Sequence, residues 1–147
     1  MDSIDCRIIN FLRKNAKIPI AELSEQIGIS GAAIHKRIKK LENKKIFTGS
    51  QINVDPKKVG FTTLAFIGIY LEKAVDVNFA IKELNTIEEI TECHYTTGDW
   101  SILIKIYCKD NEHLMKLLNK RIQAINGVSR TETFISLDQQ ISRQIKV

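Results

Sequence analysis

Over the first 45 residues apolar positions recur at helical spacing and are interrupted twice. Ile4, Ile8, Phe11 and Leu12 share one side of a helix over about residues 3–14, with Asp2 or Ser3 available to cap it. Pro19 suits the start of a second, short helix, on which Ile20, Leu23 and Ile27 follow at i, i+3 and i+7 until Gly28 ends it. Ser30 is the expected N-cap of a third helix running to about Asn43, its inner face marked by Ile34, Ile38 and Leu41. Two short helices joined by a tight glycine-containing turn make a helix-turn-helix pattern. Phe47 to Val54, with Thr48, Gln51 and Ile52, predicts a strand before the Asp55-Pro56 turn, placed either as a wing or as a pairing strand for a second subunit.

The pattern changes after residue 60. Thr62 to Leu71 is nearly all apolar or β-favouring, as in a strand buried on both faces. Asp76 caps a helix carrying Val77, Ala80, Ile81 and Leu84 on one side. Strands are predicted at about Ile90–Thr97 and Trp100–Cys108, joined by Gly98-Asp99. A second helix holds Leu114, Leu117, Leu118, Ile122 and Ile125, ends near Asn126-Gly127, and leads into a strand from about Val128 to Leu137. The order βαββαβ predicts a ferredoxin-like sandwich with both helices on one sheet face. The other face, to which Phe66, Tyr70, Ile104 and Phe134 are assigned, needs a cover, and a second copy of the chain supplies one. The chain thus reads as α+β: a helix-turn-helix domain of winged-helix-like type over 1–46, a linker strand and turn over 47–60, and a ferredoxin-like domain over 61–147.

Charge separates the two parts. Residues 1–60 carry 12 Lys and Arg against 6 Asp and Glu, whereas residues 61–147 carry 10 against 11, so the net +5 resides entirely in the first part. Part of that excess is on the third helix, opposite its apolar face: Ala32, Lys36, Lys39 and Asn43, flanked by Ala33 and Lys40. A solvated basic surface is the plain reading of such a face. Its coincidence with the turn and the cap points instead to double-stranded DNA. Small Ser30, Gly31, Ala32 and Ala33 let the helix end enter the major groove, and Lys36, Arg37, Lys39 and Lys40 supply salt-sensitive affinity. Base reading falls to Ser30, His35, Lys36 or Arg37.

Cys6, Cys93 and Cys108 are odd in number and widely spaced, which suits neither a disulfide framework nor a zinc site and predicts a reducing cytoplasm. The acidic Met1-Asp2-Ser3-Ile4-Asp5 start is unlike a signal peptide, and no apolar run approaches the roughly 20 residues that cross a bilayer, so no membrane partner is expected. An enzyme is not expected either: there is no phosphate-binding glycine loop, and His35, His94 and His113 fall in different elements. A metal site from Cys93, His94, Cys108 and His113 is disfavoured because Cys93 and His94, adjacent on a strand, point to opposite faces.

Both parts resemble the leucine-responsive and asparagine regulator (Lrp/AsnC) family. The resemblance rests on Ser3-Ile4-Asp5, on Ala21-Glu22-Leu23-Ser24 through Gly28-Ile29-Ser30, on Arg37-Ile38-Lys39-Lys40-Leu41-Glu42, and on Glu92-Cys93-His94 through Thr97-Gly98-Asp99-Trp100. It implies a transcription regulator that forms homodimers, often joined into octamers, with an amino-acid effector bound between dimers and no other cofactor. It further implies that Thr97, Gly98, Asp99 and Trp100 line the effector pocket, with Thr131, Thr133 and Ile135 of the last strand nearby. Loop amides suit a carboxylate, Asp99 an ammonium group, and Trp100 a side chain. A ligand-independent architectural DNA-binding protein is the alternative. Two positions depart from the family: Ser101 replaces a frequent aspartate, and Lys45 a frequent glycine, which predicts a different local end to the third helix.

Overall fold

The computed structural model describes residues 1–147, which divide into two compact units: Met1–Asn53 together with Ile141–Val147, and Val54–Gln140. The last residues therefore pack with the first unit rather than with the 61–147 domain to which the sequence reading assigned them. Asn10 holds them on both sides: its Nδ2 donates to the carbonyl of Val147, whose N–H donates to Asn10 Oδ1 at 3.3 Å. Arg13 Nη1 also donates to the carbonyl of Gln144, at 3.2 Å.

The first unit contains α1 (Ser3–Leu12), α2 (Ile20–Ile27) and α3 (Gly31–Asn43). Helix α1 opens with a reciprocal cap, in which Asp5 N–H donates to Asp2 Oδ1 at 2.9 Å and Asp2 N–H donates to Asp5 Oδ2 at 3.1 Å. Pro19, pre-set in φ, starts α2, and Gly28 at φ 81° ends it. Ser30 Oγ accepts the Ala33 N–H and starts α3. The three helices close on Ile8, Ile9, Leu23, Ile27, Ile34 and Leu41, so the helical spacing in the sequence corresponds to one shared core.

The end of α3 differs from expectation. Lys45 adopts φ 54°, and the Ile46 N–H reaches the Leu41 carbonyl at 2.9 Å, so the helix closes in the left-handed manner with lysine where glycine is easiest. Core burial of Leu41 and packing of Phe47 against the same core impose that turn on the lysine. Lys45→Gly is therefore expected to stabilise the first unit by about 1 kcal/mol, read as a higher urea midpoint with unchanged slope; an unchanged midpoint would show that Lys45 bears no strain.

Phe47–Val54 is irregular and enters no ladder, contrary to the predicted linker strand. Strand propensity yields a strand only where a neighbour supplies the hydrogen bonds, and one chain offers none here.

The second unit is built from β1 (Thr63–Leu71), α4 (Val77–Leu84), β2 (Ile90–Tyr95), β3 (Ile102–Cys108), α5 (Asn111–Leu117) with a wider π-helical turn over Leu118–Ile122, and β4 (Val128–Ile135). The antiparallel sheet has the order β2-β3-β1-β4. Ala65, Ile67 and Ile69 of β1 and Ile102, Ile104 and Ile106 of β3 pack against Ala80, Leu84, Leu114, Leu117 and Ile122, so both helices lie on one face. Alternation puts Leu64, Phe66, Gly68 and Tyr70 on the open face, with Leu103, Lys105 and Tyr107 beside them. Strand β1 is thus buried on its helix side and only half-covered on the other. Ile104, expected on the open face, is fully buried under the helices because it pairs with Ile67. Asp76 precedes α4 without its side chain bonding the helix; it lies instead against Gly127, where φ is 90° and an added Cβ would come within 2.8 Å of it.

Candidate functional site

The outward side of α3 carries two kinds of cation. Lys36, Lys39 and Lys40 are exposed and enter no ion pair within the chain, and Ser30, Ala32 and His35 are exposed beside them, with Gly31 and Ala33 partly so. Arg37 is engaged. Its Nη1 lies 2.7 Å from Asp2 Oδ2 and 2.6 Å from Asp5 Oδ1, and Asp5 is only 1% exposed. Burial alone would raise the Asp5 carboxyl, but the Arg37 hydrogen bond and the Asp2 N–H outweigh it and hold the group below its ordinary value of 3.8. Arg37, hydrogen-bonded by Asp2 and Asp5, is held above its own ordinary value. Through Nη1 the Arg37 guanidinium joins α3 to the start of α1. The signal for that role was the Asp2-x-x-Asp5 spacing, a capping box whose second carboxylate is also free to take a cation.

In the second unit, Thr97–Trp100 forms one loop between β2 and β3. It is closed at its base by Thr96 N–H to the Ser101 carbonyl at 3.0 Å and by Thr96 Oγ1 to the Trp100 carbonyl at 2.6 Å. Ser101 N–H donates to the Ile69 carbonyl at 3.0 Å, fixing the loop to β1. Gly98 sits at φ 109°, a conformation glycine adopts freely. Thr97, Gly98 and Asp99 are exposed. Trp100 does not point outward with them; it lies over Gly68, and its Nε1 donates to Glu132 Oε2 at 3.0 Å.

The last-strand candidates divide from that tryptophan. Thr131, Thr133 and Ile135 pair with Ile69, Ile67 and Ala65, which puts them on the helix side of the sheet, whereas Trp100 occupies the open side. Thr131 alone shares a register row with the loop attachment at Ile69, and its Oγ1 accepts from Gln123 Nε2 at 2.8 Å. Sequence reading missed Gly68 and Glu132. A glycine inside an apolar strand was the available sign of a close approach.

Cys93 and His94 pair with Ile104 and Leu103 and so take opposite faces, and no group of three or more His, Cys, Asp and Glu is gathered as for a metal. Burial pushes the Cys108 thiol up to about 11, with Glu89 and Asp110 adding to the effect, so it is not poised as a nucleophile.

A helix-turn-helix with unpaired lysines on its third helix, on the same chain as a βαββαβ unit with an exposed loop, defines a DNA-binding regulator. Residues 1–42 match the AsnC-type helix-turn-helix domain, and residues 64–145 match the Lrp/AsnC ligand binding domain. The chain is 40% identical over 146 residues to the Regulatory protein AsnC of Escherichia coli (strain K12), covering 99% of this chain and 96% of that one. The solved structure of E. coli AsnC superimposes with a TM-score of 0.95, at 40% identity, over 100% of this chain and 99% of that one. A feast or famine regulatory protein from M. tuberculosis, solved in complex with L-methionine, matches with a TM-score of 0.91 and 27% identity over 99% of each chain. The chain belongs to the Lrp/AsnC family of transcriptional regulators, which are not enzymes.

Proposed function

We propose that α3 reads double-stranded DNA and that an amino acid bound at the Thr97–Trp100 loop controls the assembly or the DNA affinity of the protein, in the cytoplasm. Ser30, Gly31, Ala32 and Ala33 form the narrow end that enters the major groove, Lys36, Lys39 and Lys40 meet phosphates, and base edges fall to Ser30 and His35. A second copy covers the open sheet face at Phe66, Tyr70 and Phe134, and the resulting homodimer presents two recognition helices to a two-fold site. Dimers join further, up to the octamer of the family resemblance.

One observation supports amino-acid sensing above the others. Gly98 and Asp99 are exposed at the tip of a loop whose base is tied down, so a carboxylate and loop amides are presented without an internal partner to displace. The L-methionine complex of the M. tuberculosis relative supports the ligand class. Thr131 lies closest in register to complete the site, with Thr133 and Ile135 farther along the edge strand.

Thermal unfolding with each common amino acid, L-methionine included, tests the reading on wild type and Asp99→Ala. Asp99 is exposed, so its replacement leaves the fold intact. One or a few amino acids are expected to raise the wild-type melting temperature only, by the equivalent of about 2.7 kcal/mol at a hundredfold excess over Kd. A wild type that responds to none would leave the ligand-independent architectural regulator in its place.

A further inference from the structure

The indole of Trp100 is held more closely than a turn requires. A Cβ added at Gly68 would fall 2.5 to 2.6 Å from three atoms of that ring, so the ring occupies the space a side chain would take. Phe134 meets it edge-on at 5.7 Å. Its one polar atom, Nε1, is bound by Glu132, whose other oxygen accepts the Tyr70 hydroxyl at 3.0 Å and lies 3.3 Å from Arg130 Nη2. The Arg130 guanidinium lies 4.0 Å over the Tyr70 ring. A single carboxylate on β4 thus binds the loop from two strands away and is itself oriented by a tyrosine and an arginine.

We infer that Glu132 is the positioning residue of the effector loop: by holding Trp100 in the notch at Gly68 it sets how Gly98 and Asp99 are presented to the amino acid. The inference rests on the proposed reading of that loop as the amino-acid site. Its indole is bound at Glu132 and its carbonyl by Thr96 Oγ1, so Trp100 is tied at both ends next to Asp99. The same carboxylate lies on the open sheet face that a second copy covers. Loop geometry and subunit packing therefore share one group, which gives the effector a route to assembly.

Trp100 is the only tryptophan of the chain, so its fluorescence reports the latch directly. In full-length Glu132→Ala the emission is expected to shift to the red and acrylamide quenching to increase, with far-UV circular dichroism unchanged. Glu132→Gln, which keeps one acceptor for the indole, falls between. Gly68→Ala displaces the ring with Glu132 intact and gives the same emission change, so the inference does not depend on one variant folding. The concentration of the responding amino acid, L-methionine being the first probe, that half-saturates the thermal shift rises about tenfold or more in Glu132→Ala and less in Glu132→Gln. Wild-type emission and quenching in Glu132→Ala would overturn the inference, as would a freed tryptophan with unchanged amino-acid affinity. A wild type that answers no amino acid overturns the sensing reading alone, and the emission comparison still decides whether Glu132 fixes the loop.

Discussion

Replacing Lys36, Lys39 and Lys40 together by glutamine is expected to lower affinity for duplex DNA about 500-fold at 0.1 M salt. Each lysine that neutralises a phosphate releases close to one condensed counterion, so it contributes about 0.9 to the slope of log affinity against log salt. At 0.1 M that is roughly eightfold per contact relative to 1 M, and three contacts multiply to the stated loss, with the slope reduced by about 2.7. The three side chains are exposed and unpaired, and glutamine has nearly the helix propensity of lysine, so the fold itself is left alone. Lys82→Gln on α4 of the second unit is the control and keeps both affinity and slope. Measuring binding to non-specific duplex between 50 and 200 mM salt makes the test independent of the operator sequence. A triple variant with the wild-type slope would remove this face from the interface and return the lysines to the role of a solvated surface.

The limits of sequence reading here are those of local patterns. Both helices of the helix-turn-helix, its Gly28 turn and its Ser30 cap were legible because periodicity, φ preference and side-chain capping are properties of a few consecutive residues. The βαββαβ order was legible for the same reason, since each strand and helix carries its own apolar spacing. Phe47–Val54 has the same strand propensity but lacks a ladder partner within one chain, and propensity says nothing about partners. The face of Ile104 is not legible in the sequence because it depends on the pairing register, and Ile67 opposite it decides the matter. On a helical wheel Arg37 looks like its lysine neighbours; only the arrival of Asp2 and Asp5 from 32 or more residues away separates it from them. The Trp100 latch joins β1, the β2–β3 loop and β4, and its one local trace was the mid-strand Gly68.

Loss of that distant carboxylate should have the largest effect on stability. Asp5→Ala is expected to destabilise the first unit by about 2–3 kcal/mol, because it removes a buried acceptor from Arg37 and the second half of the α1 cap in one step. Asp2 remains to hold the guanidinium, which brings the loss below that of a buried pair broken outright. For a unit of this size the loss corresponds to about 10–20 °C in melting temperature. The pH dependence has a definite sign. Asp5 titrates below its ordinary value of 3.8 in the folded chain, so its contribution is complete above that value and is lost as the pH falls through the folded value. Asp5→Asn should therefore lower stability at neutral pH and flatten the acid side of the stability profile below about pH 4, where wild type declines. If Arg37→Gln and Asp5→Asn were strictly additive, the ion pair would contribute nothing and α3 would be held by its apolar core alone. Coupling between them would mean that the arginine sets the position of α3, the helix on which Lys36, Lys39 and Lys40 stand.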